Sequence, residues 1–311
     1  MQTTGADAII RSREAETGTH PVGGPADEAN TRHRVPGARL DSKFTDEQAP
    51  QPQSRLVLRL FSWMVLWYMR RQFHAIRIAH ADRFHAYDRP LIVSMNHPSW
   101  WDPLTCITLY RNLMPAYFHF APMDAAALRQ YGFFRKIGLF PIEMGTARGA
   151  AQFLRGGRAV LAEKRNVLWV TPQGEFTDAR QRPPHFRPGL GALVRRMESC
   201  TVLPLAIEYG YWDERLPEAL LLCGEPVQVA RGADHTAAEW TALLERSLES
   251  AQDELAALSS SRNPAHFTSL AAGGVGVGGL YQLWQRLLAR LRGEIYNPEH
   301  GSIRPHHSSN S

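Results

Sequence analysis

One histidine and one aspartate stand five positions apart, where an apolar segment is followed by a helix-forming segment. Residues 91–93 predict a buried strand, Pro98 prevents the strand ladder from continuing, and Pro103 suits the first turn of a helix. His97 and Asp102 therefore flank a tight connection at a strand end. There a carboxylate can hold one ring nitrogen of a neutral imidazole while the other nitrogen takes a proton from an alcohol.

The same spacing occurs a second time, in His119 and Asp124. His119 lies within the alternating apolar segment 117–120, which predicts a strand side chain. Asp124 precedes residues 125–128, where it is expected to cap the start of a helix. The sequence therefore assigns the proton chemistry to the first pair and a structural role to the second.

The residues around His97 resemble the first motif of the lysophospholipid and glycerol-phosphate acyltransferases, in which a His and an Asp separated by four residues form the catalytic pair. Three downstream segments resemble the second, third and fourth motifs of that family, in the same order. The four segments are 96–102, 138–143, 170–175 and 202–207. The resemblance covers roughly residues 72–230, and four ordered motifs are far more specific than one.

The resemblance implies an enzyme that moves a fatty acyl group from acyl-CoA or an acyl carrier protein to the hydroxyl of a lysophospholipid or related lipid alcohol. His97 is then the general base and Asp102 orients it. A thioester is already activated, so no covalent enzyme intermediate is needed. The acyl donor is a co-substrate, and neither a cofactor nor a metal is expected.

The third motif is expected to contact the substrate through Gln173, Gly174 and Glu175. A glycine permits close approach, so backbone N–H groups of this turn or the Gln173 amide are candidate donors to the thioester oxygen. The alternative is an ordinary turn at a strand end. The family usually has Glu where Gln173 stands, so the carboxylate has either moved to Glu175 or been lost.

Two family arginines that bind the acceptor's phosphate are replaced here by Met144 and Phe176. Neither side chain can hold phosphate as a guanidinium does. Arg148 and Arg187 are the candidate replacements for substrate binding, and the other nearby cations are Arg180 and Arg182. If one of them substitutes, lysophosphatidic acid remains open as the acceptor. If none does, the acceptor carries no phosphomonoester, and an amino-acid lipid or a glycosylated isoprenoid remains open.

Composition fits this chemistry. The 311 residues have 44% hydrophobic content and a net charge of +5, which suits an anionic membrane surface or an acidic acyl carrier. The chain lacks the dense basic blocks of a nucleic-acid binder. Three cysteines in apolar contexts, without metal-like or paired spacing, are expected to be reduced core thiols.

Strand and helix patterns alternate from residue 75 onward, which predicts an α/β fold with a mixed, largely parallel sheet flanked by helices. We divide the chain into a disordered tail (1–53), a membrane-interfacial helix (54–74) and a catalytic domain (75–265). Residues 266–311 are expected to contain a Gly-rich linker, an amphipathic basic helix near 280–291 and a tail.

The segment 54–74 predicts membrane contact. Its longest uncharged run, 60–69, has ten residues, about half of the ~20 needed to cross a bilayer. A narrow polar stripe lies opposite a broad apolar surface; the stripe contains Arg55, Arg59, Ser62 and Arg70, and the surface contains Trp63, Met64, Trp67 and Tyr68. We expect a peripheral or monotopic protein on the cytoplasmic face of the cell membrane. The alternative is a helix packed on the domain's own core.

Two other classes of function are weighed against the acyltransferase. A hydrolase could use His97 and Asp102, but the chain has no Gly-x-Ser-x-Gly segment. A non-catalytic membrane-binding protein that retains the acyltransferase fold is the main alternative, because the second and third motifs are altered.

Overall fold

Nine strands pair into one sheet in the computed structural model, which describes residues 49–273. The strands are β1 (Ala75–Ala79), β2 (Leu91–Met95), β3 (Phe118–Asp124), β4 (Leu139–Ile142), β5 (Asn166–Val170), β6 (Cys200–Gly210), β7 (Glu218–Cys223), β8 (Val227–Val229) and β9 (Thr268–Ala272). The helices are α1 (Arg55–Gln72), α2 (Asp102–Leu113), α3 (Ala125–Gln130), α4 (Ala147–Leu161), α5 (Gly189–Val194) and α6 (Ala237–Ser261).

The sheet is largely parallel. Its strand order is β4-β3-β5-β2-β6-β7-β1-β9, and β8 pairs with β6. Strand β2 runs parallel to both of its neighbours, β5 and β6, whereas the pairs β6–β7, β6–β8 and β1–β9 are antiparallel. This mixed sheet with flanking helices confirms the predicted fold class.

Strand β2 is buried on both faces, as a continuous apolar run predicts for a strand inside a parallel sheet. Alternate side chains of a strand point to opposite faces. Leu91 and Val93 accordingly pack in one core cluster with residues of α1 and α2, and Ile92 packs in another with residues of α4, α5 and α6. Helices on both sides therefore hold β2 in place, and the residues after Met95 leave the sheet at a defined edge.

Helix α1 packs on the core by one face and exposes apolar side chains on the other. Leu58, Val65, Leu66 and Met69 are buried, and the exposed apolar residues are Leu56, Leu60, Trp63, Met64 and Trp67. Ser62 does not face solvent as the predicted stripe requires: it is buried, donates to the Arg59 carbonyl and accepts from Arg111. No helix within residues 49–273 is long and apolar enough to cross a membrane.

The helix that Asp124 caps is short. Helix α3 ends at Gln130, and a 3-10 segment spans Gly132–Ile137. Gly138 follows with a φ of 104°, a conformation that favours glycine, and a Cβ there would collide with the His119 carbonyl oxygen. Strand β3 extends beyond the alternating apolar segment 117–120 because residues 121–124 pair with β4.

The ordered domain extends past both predicted boundaries. Gln53, placed at the end of the tail 1–53, is buried and donates through Nε2 to the carbonyls of His119 and Ile137. Strand β9, placed in the linker beyond residue 265, pairs with β1. The side chains of β9 are mostly exposed. The strand therefore lacks the alternation of buried and exposed residues by which a sequence pattern predicts a strand. The predicted tail 1–48 and the connector and amphipathic helix beyond residue 273 lie outside the described residues.

Candidate active site

His97 and Asp102 meet at the edge of the sheet. His97 follows the end of β2, and Asp102 begins α2, with Pro103 in the first turn. His97 Nδ1 lies 2.6 Å from Asp102 Oδ2. Asp102 is 0% exposed, whereas the His97 side chain is 21% exposed. The strand–turn–helix arrangement predicted from sequence therefore brings the two side chains into hydrogen-bonding contact and leaves the imidazole open to solvent.

The Asp102 carboxylate has two further hydrogen-bond donors. The Ser99 backbone N–H donates to Oδ2 at 3.1 Å, and the Tyr209 hydroxyl donates to Oδ1 at 2.8 Å. These donors stabilise a buried negative charge that would otherwise be costly. Because the carboxylate only accepts, His97 Nδ1 carries the proton in this contact, and Nε2 is left as the proton acceptor.

Tyr209 is a further candidate site residue, which the sequence alone does not reveal. It lies on β6, which runs beside β2, and its hydroxyl is also 3.1 Å from Thr105 Oγ1. Burial, followed by the nearby Asp102 charge, raises the pKa of Tyr209 well above its usual value. The hydroxyl therefore remains protonated and acts as a donor. No motif marks this residue, because its contact with Asp102 depends on the pairing of β2 with β6.

Tyr209→Phe is expected to lower kcat/KM by about 10- to 100-fold, because a hydrogen bond to a charged group contributes roughly 1.5–3 kcal/mol. Without this donor the carboxylate interacts more strongly with the His97 proton, so the acid limb of the pH profile should move to higher pH. Tyr87→Phe is the matched control, since the Tyr87 hydroxyl donates to the Arg83 carbonyl rather than to Asp102. Equal pH profiles for wild type and Tyr209→Phe would exclude this positioning role.

The third-motif turn supports the backbone of His97. Gln173 Oε1 accepts from the His97 N–H at 2.9 Å, and the Thr177 N–H donates to the His97 carbonyl at 3.0 Å. Gln173 is 2% exposed, and within residues 49–273 its Nε2 has no hydrogen-bond partner. The Gly174 N–H donates to the Thr171 carbonyl. The side-chain oxygen of Gln173 thus positions the candidate base, while its amide nitrogen is buried without a partner among the described residues.

The predicted close approach at Gly174 is made by the side chain of Arg187, which packs against this turn. It has a φ of 71°, and a Cβ built on it would lie 2.9 Å from Arg187 Nε. Arg187 Nη2 is also 4.0 Å from Glu175 Oε2. The fold places three predicted substrate-binding residues, Gly174, Glu175 and Arg187, together beside the His97 loop.

The other candidate arginines also have acidic partners. Arg148 Nε is 3.4 Å from Glu143 Oε1 at the start of α4, Arg180 pairs with Asp178 and Arg182 with Asp253. Where the family usually has its third-motif arginine, Phe176 packs on the His97 imidazole, with ring centroids 4.3 Å apart. Arg187 is therefore the candidate most closely associated with the third-motif turn.

An open groove of about 600 Å³ lies next to the pair. This volume falls within the range of small-molecule sites. Its wall combines aromatic rings with charged groups and includes Pro98, Ser99, Trp101, Arg180, Tyr209 and Tyr211. A groove of this composition can accept a molecule with both apolar and polar parts.

The cysteines offer no alternative nucleophile in this part of the chain. Burial raises the pKa of Cys200 and Cys223 to about 12 and raises that of Cys106 well above its usual value. All three thiols are therefore protonated near neutral pH. Within residues 49–273, no group of three or more His, Cys, Asp or Glu side chains could hold a metal ion.

One protein-family model matches the part of the chain that contains the candidate site. Residues 72–208, which contain the His97–Asp102 pair, β2, β5 and the third-motif turn, match the acyltransferase family model. The match covers less than half of the chain and includes the segment that holds the candidate pair.

Among solved structures, the chain is similar to the 1-acyl-sn-glycerophosphate (LPA) acyltransferase PlsC from Thermotoga maritima. The two share 15% sequence identity with a TM-score of 0.45, over 66% of this chain and 80% of that chain. A search of curated proteins finds no match.

Proposed function

We propose that the protein is a membrane-associated O-acyltransferase that moves a fatty acyl group from acyl-CoA or an acyl carrier protein to the hydroxyl of a membrane lipid. The observation that carries this proposal is the 2.6 Å contact between His97 and a buried Asp102 within an acyltransferase domain. Such a pair provides a general base whose second nitrogen is directed away from the carboxylate.

His97 Nε2 removes the proton from the acceptor hydroxyl as its oxygen attacks the thioester carbonyl carbon. The tetrahedral intermediate then collapses, the carbon–sulfur bond breaks, and the imidazolium returns its proton to the departing thiolate. Asp102 stabilises the imidazolium between these two transfers. The third-motif turn is the candidate source of a donor to the thioester oxygen. The Gly174 N–H is already used within the turn, and the unpaired Gln173 amide nitrogen is buried in this structure.

An assay that follows thiol release and lipid products separates this proposal from its alternatives. The purified protein is incubated with acyl-CoA or acyl carrier protein and a panel of lipid alcohols. Transfer yields an acylated lipid, a hydrolase yields free fatty acid, and a non-catalytic membrane-binding protein leaves the thioester intact.

The acceptor is expected to depend on Arg187. Met144 and Phe176 replace the phosphate-binding arginines, and each lost charge-assisted contact costs roughly 1.5–3 kcal/mol, about one to two powers of ten in discrimination. We therefore expect lysophosphatidic acid to be a poor acceptor unless Arg187 or Arg148 supplies the contact. The measurement is kcat/KM for lysophosphatidic acid and for neutral lipid alcohols.

Arg187→Ala and Arg148→Ala distinguish the two replacements. A selective loss of activity towards lysophosphatidic acid in one variant identifies the phosphate contact, whereas activity on neutral alcohols should be retained. A strong preference for the phosphate in wild type and in both variants would show that neither arginine governs acceptor choice.

Membrane attachment through α1 is part of the proposal. Its exposed face combines Trp63 and Trp67 with Arg residues, a composition suited to the headgroup zone. Tyr68 at its C-terminal end stacks on Trp101, and Trp101 stacks on the exposed Trp100, with ring centroids 5.8 Å and 4.6 Å apart. An α1 helix lying in the cytoplasmic leaflet would thus bring the His97 loop close to its lipid acceptor.

A further inference from the structure

A second exposed surface with membrane-binding chemistry lies next to α1. Residues 125–137, which comprise α3 and the 3-10 segment, contain Arg129, Arg135 and Lys136 and no carboxylate. Arg129 and Lys136 are exposed. The nearest acidic residue in sequence, Asp124, accepts hydrogen bonds from the first amides of α3. This segment therefore presents positive charge.

Two aromatic side chains are exposed beside these cations. Tyr131 is 52% and Phe133 is 42% exposed. Seven of the eleven large apolar side chains that are exposed within residues 49–273 belong to α1 or to this segment. Exposed apolar groups concentrated in one region mark a contact surface rather than an ordinary solvated face.

The segment is fixed to α1. The Phe133 ring packs edge-on against Phe61, with centroids 5.1 Å apart, and Phe134 also contacts Phe61. At the start of the helix, the Ser54 N–H donates to the Lys136 carbonyl at 2.8 Å, and Gln53 Nε2 donates to the Ile137 carbonyl at 2.6 Å. The two elements are therefore neighbouring parts of one surface.

The positive charge of this surface favours an anionic lipid bilayer as its partner. Helix α1 contains Arg55, Arg59, Arg70 and Arg71 and, like residues 125–137, no carboxylate. Aromatic rings next to Arg and Lys suit the boundary between headgroups and acyl chains. A protein partner with a matching apolar face would not explain the absence of acidic residues as directly as an anionic bilayer does.

We propose that residues 129–136 form a second membrane-contact element, which binds the same anionic lipid bilayer as α1. The inference rests on the proposed membrane attachment and extends it: the protein contacts lipid through two elements that are distant in sequence. Arg129 and Lys136 face lipid phosphates, and Tyr131 and Phe133 enter the interface.

The test uses the full chain and co-sedimentation with phosphatidylcholine vesicles, with and without phosphatidylglycerol. Arg129→Gln/Lys136→Gln should bind anionic vesicles about 25-fold more weakly, since each cation near such a surface contributes about 5-fold. The control Arg158→Gln/Lys164→Gln removes two exposed cations in and after α4 and should bind like wild type. Tyr131→Ser/Phe133→Ser should weaken binding to both kinds of vesicle.

A second readout does not depend on weakened binding. An environment-sensitive dye on Tyr131→Cys should shift its emission to the blue with anionic vesicles, whereas the same dye on Arg158→Cys should not. Wild-type binding by the segment variants, together with loss of binding in Trp63→Ser/Trp67→Ser, would overturn this inference and leave attachment through α1 standing. Failure of the wild-type protein to bind either vesicle would overturn both.

Discussion

Replacing His97 with alanine is expected to reduce acyl transfer by about 10³-fold or more while the protein remains folded. General base catalysis by a positioned side chain contributes roughly 10²–10⁴-fold, and here the imidazole is the proton acceptor at the hydroxyl. Its side chain is partly exposed and packs on Phe176, so its removal leaves no large cavity. The measurement is the rate of acylated lipid formation, with the unfolding transition as a check on the fold.

His119→Ala provides the matched comparison. His119 Nδ1 accepts from Trp169 Nε1 at 3.0 Å, and Nε2 contacts the Met114 carbonyl at 3.1 Å. Burial lowers the pKa of His119 to about 4, so the ring is neutral near pH 7. Its loss leaves a buried indole N–H unpaired, at a cost of about 1–3 kcal/mol of folding free energy. Retained turnover in a folded His97→Ala protein would refute the assignment of the base.

Asp102→Asn should be nearly as damaging, with an expected loss of about 10³–10⁴-fold in kcat, comparable to the same exchange in serine-protease triads. The amide can keep the Ser99 contact, and the Tyr209 hydroxyl can turn to accept a hydrogen bond, so the fold should survive. What disappears is the negative charge that stabilises the imidazolium. Transfer kinetics and unfolding measurements on the same preparations separate these effects.

Asp124→Asn is the control for this exchange, since Asp124 has the same spacing from a histidine. Asp124 caps α3 through the amides of Ala126 and Ala127, a role that Asn fills equally well. Both activity and stability should therefore resemble the wild type. A loss of less than about 10-fold for folded Asp102→Asn would contradict the role given to that carboxylate.

Features that depend on residues close together in the sequence could be predicted from the sequence alone. The apolar run of β2, the two prolines and the five-residue separation place His97 and Asp102 at one strand end, and the structure brings them together. The same local argument distinguished the buried His119 from the candidate base. The alternation of strands and helices was enough to predict a largely parallel sheet.

Contacts between distant segments could not be predicted in this way. The Tyr209 bond to Asp102 and the Gln173 bond to the His97 backbone require β6 and β5 to lie on either side of β2. Nothing in the spacing of residues specifies that strand order. Helix α1 was ambiguous for another reason: its apolar residues surround most of the helix, so periodicity could not separate the core-facing side from the exposed side.

The most direct test of the account is the stoichiometry of a single reaction. The purified protein receives an isotope-labelled acyl thioester and a lipid alcohol, and mass spectrometry follows the label while free thiol is measured in parallel. We expect one labelled ester for each thiol released, only when the acceptor is present and only with His97 intact. Label recovered as free fatty acid, or thioester left unconsumed with every acceptor and donor, would contradict the proposed acyl transfer.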